Sequence, residues 1–130
     1  MLGNQVVTMD AKNKVKYHCA AAMVSNQMVA LCHIGQKLLC ECGFDQETAA
    51  KALAPLILGN AENIVRQGTV DALTGPVERN DVATVQGHLQ VLDEEEKEIY
   101  KNLSQVLVDI AKMRHPESDY EKMEKELERV

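Results

Sequence analysis

Tyr17-His18, Ser25-Asn26 and, further along, Thr74 and Arg79 are the side chains of this sequence best suited to act on a small molecule. A histidine titrates near neutral pH, so His18 can donate or accept a proton, beside Lys14, Lys16 and Tyr17. Ser25 and Asn26 offer a hydroxyl and an amide to a polar group of a substrate. In a helix each residue advances by about 100°, so residues seven apart return to one face. His18, Ser25 and Cys32 therefore share a face, and Cys19, Asn26 and His33 share the next. This spacing allows a polar groove along the helix. It also allows a purely structural arrangement, with Ser25 bonded to a carbonyl one turn earlier and Asn26 to a neighbouring helix. A buried polar group left unpaired costs about 1–3 kcal/mol, so either way these two need partners.

The second group lies in the stretch Leu73-Thr-Gly-Pro-Val-Glu-Arg-Asn-Asp81. Thr74 and Arg79 flank a rigid Gly75-Pro76 turn and suit contact with an anion or substrate. Asp81 is placed to cap the following helix and to pair with Arg79. The alternative is a corner that only turns the chain.

The other histidines carry less. His33 reads as a satisfied core or interface residue, His88 faces the loop before its helix, and His115, ahead of Pro116, caps a helix end. Cys32-His33 and Cys40-Glu-Cys42 do not make a metal site, because residues two apart on a helix point about 200° apart. No Gly-x-Gly-x-x-Gly, Gly-x-x-x-x-Gly-Lys, Gly-x-Ser-x-Gly or His-Glu-x-x-His run occurs. No segment reads as a phosphate cradle, and no cofactor-binding residue is assigned.

The elements that must hold these residues read as helices. Residues 14 to 43 keep a helical pattern, and Cys19 to Ile34 is apolar on nearly every side, so it reads as one long helix buried all round. Gly43 sits at a helix C′ position, and Asp45 caps a second helix to Gln67, which Pro55 should kink or split near Ala54. Residues 69 to 80 read as a loop with short turns. Asp81 caps a helix to about Leu92. Asp93 to Glu96 forms a capping box for a long amphipathic helix with Ile99, Leu103, Val106, Leu107 and Ile110 as its core stripe. Ser118-x-x-Glu121 opens a last helix. Only Gln5 to Met9 leans towards β-structure.

Composition agrees with an all-α fold in a single domain. The chain has 130 residues, 45% hydrophobic and 3% aromatic, so its core is built of aliphatic residues and methionine. The formal net charge of −6 argues against nucleic-acid binding. There is neither a membrane-spanning run nor a secretory signal, which places the chain in the cytoplasm with its four cysteines reduced. Residues 93 to 130 hold twelve acids and seven bases, read as solvated outer helices around a neutral, buried first half.

Lys16-Tyr17-His18, Ala21, Ser25-Asn26, Leu73-Thr74-Gly75-Pro76, Arg79, Asp81, Thr84 and His88 together resemble a family of Rossmann-like proteins, in their C-terminal helical domain. That domain is catalogued as a domain of unknown function, and its proteins look like relatives of deazaflavin-dependent NADP oxidoreductases and pyrroline-5-carboxylate reductases. The resemblance covers about residues 5 to 113. It implies a fold like the C-terminal dimerisation domain of 6-phosphogluconate dehydrogenase-like proteins, with one long buried central helix. It further implies that residues 1–13 connect to an N-terminal dinucleotide-binding domain not contained in this sequence, that residues 14–130 form the helical domain, and that Met1 is internal. On this resemblance the domain forms a homodimer and one wall of a cleft for a small-molecule substrate. His18, Ser25 and Asn26 would be catalytic, and Tyr17, Thr74 and Arg79 would contact substrate. NAD or NADP would bind the whole protein, and this chain alone would bind no cofactor and catalyse nothing. Two positions depart from the pattern. Asn80 stands where the family usually has Gly, and Ala22 stands four before Asn26, where the similar β-hydroxyacid dehydrogenases carry a lysine. The alternative is a free-standing all-α interaction or scaffold protein.

Overall fold

The structure, a computed structural model, describes residues 9–128 and is 78% helical. Among the described residues there is no strand, as an aliphatic, aromatic-poor chain leads one to expect. The β-leaning stretch and most of the connector, with Val6, Val7 and Thr8, lie outside the described residues.

The order is α1 (Ala11–Glu41), α2 (Gln46–Gln67), α3 (Thr69–Ala72), α4 (Val82–Gln90), α5 (Glu94–Arg114) and α6 (Glu121–Glu126). The chain divides into two compact units, residues 1–57 and 58–130, with the division inside α2.

In the first unit, Asp10 caps α1 by accepting from the Asn13 amide at 2.8 Å. Gly43, at φ +103°, ends it as a C′ glycine. Asp45 then accepts from the Thr48 amide at 2.8 Å and starts α2. Helix α2 is not split: it runs through Pro55 as one helix, even though the proline leaves the Lys51 carbonyl without its i+4 donor. A Cβ at Gly35 would stand 3.2 Å from Leu53 Cδ1, so the missing side chain lets α1 pass close to α2.

One expectation is overturned here. Helix α1 contains no buried residue, so it is not the buried centre of this chain. Val15, Met23, Val24, Val29 and Leu31 are all exposed. The all-round apolar character is real, but within the first unit it is mainly the C-terminal half of α1, where Ile34, Leu38 and Leu39 are half-buried, that is partly covered.

The core lies in the second unit. Leu73, Val77, Val85, Leu89, Val108, Ala111, Tyr120, Met123 and Leu127 form one buried cluster, edged by Val82, Tyr100, Leu107 and Ile110. The reading of a buried first half and solvated last helices is therefore reversed. On α5 the buried positions are Ser104, Val108 and Ala111, whereas Leu103 and Val106 of the expected stripe are exposed. Alternate hydrophobic rows three and four apart compete on this helix, and the buried row is the one that meets the cluster of Leu73, Val77, Val85, Leu89, Met123 and Leu127. The capping box at Asp93 and Glu96 forms in both directions, at 2.8 and 2.9 Å. Ser118 does not cap α6. Tyr120 is its N-cap residue, and Asp119 accepts from the Glu121 amide at 2.9 Å.

Candidate functional site

Two groups of residues remain candidates, one in each unit. In the first, Tyr17, His18, Ser25 and Asn26 are all exposed on α1. The Ser25 hydroxyl donates to the Ala21 carbonyl at 2.7 Å, the local back-bond that an otherwise unpaired helical serine makes. His18 and Ser25 share a face but lie roughly 10 Å apart along the axis, since each residue rises about 1.5 Å. They form a row and do not touch one another. Next to this row stands an apolar one, in which Tyr17, Val24 and Leu31 are seven residues apart and Met28 lies on the same side. His33 is exposed, so it does not satisfy a core. Cys19, Cys32, Cys40 and Cys42 are free thiols.

In the second unit the Leu73–Asp81 stretch is a structured turn. Gly75 takes φ +102° and Asn80 takes φ +60°. Asn tolerates this left-handed conformation, so the turn survives the departure from glycine. Amides of Arg79, Asn80 and Asp81 close on the carbonyls of Gly75, Val77 and Pro76 at 3.2, 3.0 and 2.8 Å. Asp81 caps α4, accepting from the Thr84 hydroxyl at 2.7 Å and from the Thr84 amide at 3.2 Å. The two Thr84 donors, hydroxyl first, hold the Asp81 carboxyl below its ordinary range, and the Arg79 charge adds to this through space. No ion pair between Arg79 and Asp81 forms. Arg79 stays exposed.

Thr74 lines a hollow of about 370 Å³ with Asn60, Ile64, Thr69, Leu73, Leu107 and Ile110, and Arg79 is not part of its wall. The lining carries no charge, so the hollow suits an apolar group with hydrogen-bonding edges better than an anion.

The sequence reading missed what holds this turn. Arg114, at the end of α5, donates to the Leu73 carbonyl and, at 3.3 Å, to the Asp71 carbonyl. His115 Nε2 meets Glu78 Oε1 at 2.8 Å, the Tyr120 hydroxyl donates to the Glu78 carbonyl at 2.8 Å, and Asn80 Nδ2 donates to the Asp119 carbonyl at 2.7 Å. These partners are 37 to 43 residues apart, beyond the reach of any local pattern. His115 is the C-cap of α5 as expected, but its ring also serves the turn. Burial, with the carboxylates of Glu78 and Glu117 nearby, raises the Tyr120 hydroxyl above its usual value, which keeps it a donor. His88 faces α5, not the loop: its Nδ1 lies 2.8 Å from the Tyr100 hydroxyl.

Whether these residues could hold a dinucleotide is a question of helix N-termini, where free amides bind pyrophosphate. Here Asp10, Asp45, Asp81 and Asp93 occupy the starts of α1, α2, α4 and α5 with their own carboxylates. A negative group already sits where a phosphate would go, so these four helix starts do not suit a pyrophosphate. Among the described residues no three His, Cys, Asp or Glu side chains converge as metal ligands, and no helix is long and apolar enough to cross a membrane.

The fold and these residues define an all-helical domain, with a polar row on its longest helix and a clamped Thr-Gly-Pro turn. The chain belongs to the family described as Domain of unknown function (DUF2520), which matches residues 1–107. That range takes in both candidate groups and ends before the 114–120 segment. Comparison with curated proteins and with solved structures gives no match.

Proposed function

We propose that this chain is the C-terminal dimerisation and substrate-cleft domain of an NAD(P)-dependent oxidoreductase. The observation that carries the proposal is α1, a helix of 31 residues without one buried side chain. It presents an apolar row through Val24 and a polar row through His18 and Ser25 side by side. An apolar row of this length asks for a cover, and a two-fold copy of the same helix supplies one. The adjacent polar row then lines the edge of the covered face, where a substrate can reach it. The resemblance in the motifs adds the oxidoreductase class, and with it a cytoplasmic setting.

In this reading His18 holds or moves a proton, Ser25 and Asn26 orient a polar substrate group, and Tyr17, Thr74 and Arg79 contact the substrate. On the same reading the nicotinamide cofactor is held by a Rossmann domain outside these 130 residues, and the aspartates at the starts of α1, α2, α4 and α5 support that assignment. Calorimetric titration of the chain with NAD and NADP should give no saturable heat. Micromolar binding to this chain would show that the cofactor site has been misplaced.

His18→Gln separates cleft from scaffold. His18 is exposed, so the substitution should change folding stability by no more than about 0.5 kcal/mol. In the protein that carries the dinucleotide domain, NADP-dependent turnover should fall about 10²–10⁴-fold, the usual share of a general acid or base. Unchanged turnover would leave α1 an interaction surface only, the scaffold alternative.

A further inference from the structure

We infer that the segment from Arg114 to Tyr120 is a clamp that positions the Thr74–Arg79 turn, with Arg114, His115 and Tyr120 as positioning residues. The inference rests on the reading of that turn as a substrate-contacting element. Its starting point is a convergence. Arg114 takes the backbone carbonyls that lead into the turn, at Asp71 and Leu73. His115 takes the Glu78 side chain, and Tyr120 takes the Glu78 carbonyl in the turn's middle. The Asp119 carbonyl accepts from Asn80 at its end. One short connection between two helices thus reaches the entry, middle and exit of the turn.

Such an arrangement does more than satisfy polar atoms. Gly75 takes its positive φ without steric cost and Asn80 at a small one, so neither residue by itself holds the chain to this geometry. A glycine leaves the backbone free to take other conformations, and contacts from outside the turn select this one. At the entry both carbonyls are served by one nitrogen, Nη1 of Arg114, which the planar guanidinium holds at a fixed angle where a lysine's ammonium would turn freely. His115 suits the middle because, when neutral, it donates to the Glu78 carboxylate only with its proton on Nε2, so the contact sets its tautomer. The clamp lies outside residues 1–107, the range of the family match.

Amide hydrogen exchange on the 130-residue chain tests this. The probes are the amides of Arg79, Asn80 and Asp81, which close the turn. In His115→Ala and Arg114→Ala these amides should exchange at least about tenfold faster, while those of α5 around Val108 keep their protection. His115→Gln, which can still donate to Glu78, should restore most of the protection, and Arg114→Lys should restore part. Should either alanine variant fold poorly, Tyr120→Phe removes a single hydroxyl and gives the same comparison. Turn amides that do not respond, or that accelerate by the same factor as α5, would overturn the proposal, since the segment would then be ordinary core support. The functional reading fails separately: if Thr74→Ala and Arg79→Ala leave KM unchanged in the dinucleotide-binding protein, the clamp stands but the turn does not contact substrate.

Discussion

At the scale of single residues, the carboxylates have structural work and the histidine and amide of α1 do not. Asp45 and Asp81 each accept from the threonine three residues on, and both carboxyls are held below 3.8, their ordinary value. A lowered folded-state value means that these caps contribute stability above the ordinary carboxylate range and lose it as pH falls through the lowered value. Asp81→Ala should therefore lower the denaturation midpoint at pH 7. The difference from the unsubstituted chain should shrink as the pH is taken below about 3.8, the ordinary aspartate value. A difference that is the same at pH 7 and at pH 2.5 (a value well under the usual carboxylate range) would mean that the cap is not the ionised one described. These caps were legible in the sequence because capping is local: donor and acceptor are three residues apart. The partners of Glu78 and Leu73 were not legible, because Tyr120 and Arg114 come from the far end of the chain.

At the scale of elements, the sequence located the helices well and their buried faces badly. The starts at Asp45, Asp81 and Asp93 and the end at Gly43 stand where turn and cap residues place them. The face of α5 did not follow, because a helix with apolar residues on two neighbouring rows shows its periodicity but not its partner. Val108 and Ala111 face inward because they join a cluster built from distant parts of the chain, Leu73 and Val77 of the turn, Val85 and Leu89 of α4, and Met123 and Leu127 of the last segment. The same limit explains α1, whose uniform apolarity was readable but did not tell that none of its residues is buried. Met123 and Leu103 give the direct comparison, being 0% and 44% exposed. Met123→Ala should destabilise the fold by about 2–5 kcal/mol, in line with buried methionine truncations. Leu103→Ala should cost well under about 1 kcal/mol, as substitutions at exposed positions usually do. Urea denaturation of the two variants checks this, and a larger loss at Leu103 would restore the row the sequence suggested.

At the scale of the whole molecule, charge and hydrophobicity separate along the chain. Residues 93 to 130 hold twelve of the twenty acids, yet they contribute the tightest packing, through Val108, Met123 and Leu127. The neutral first unit, with the apolar row of α1, is left exposed instead. A monomer rarely keeps such a row in water, because large contiguous apolar patches mark interaction sites. Val24 and Val29 are 67% and 69% exposed and touch no core, so a charge at either should cost the single chain little and an assembly much. The measurement that tests the central claim most directly is the mass of the purified chain in solution, by light scattering at micromolar concentration. The account predicts about twice the 14.4 kDa of one chain, falling to 14.4 kDa in Val24→Glu with helical content unchanged. A single species at 14.4 kDa for the unsubstituted chain would contradict it.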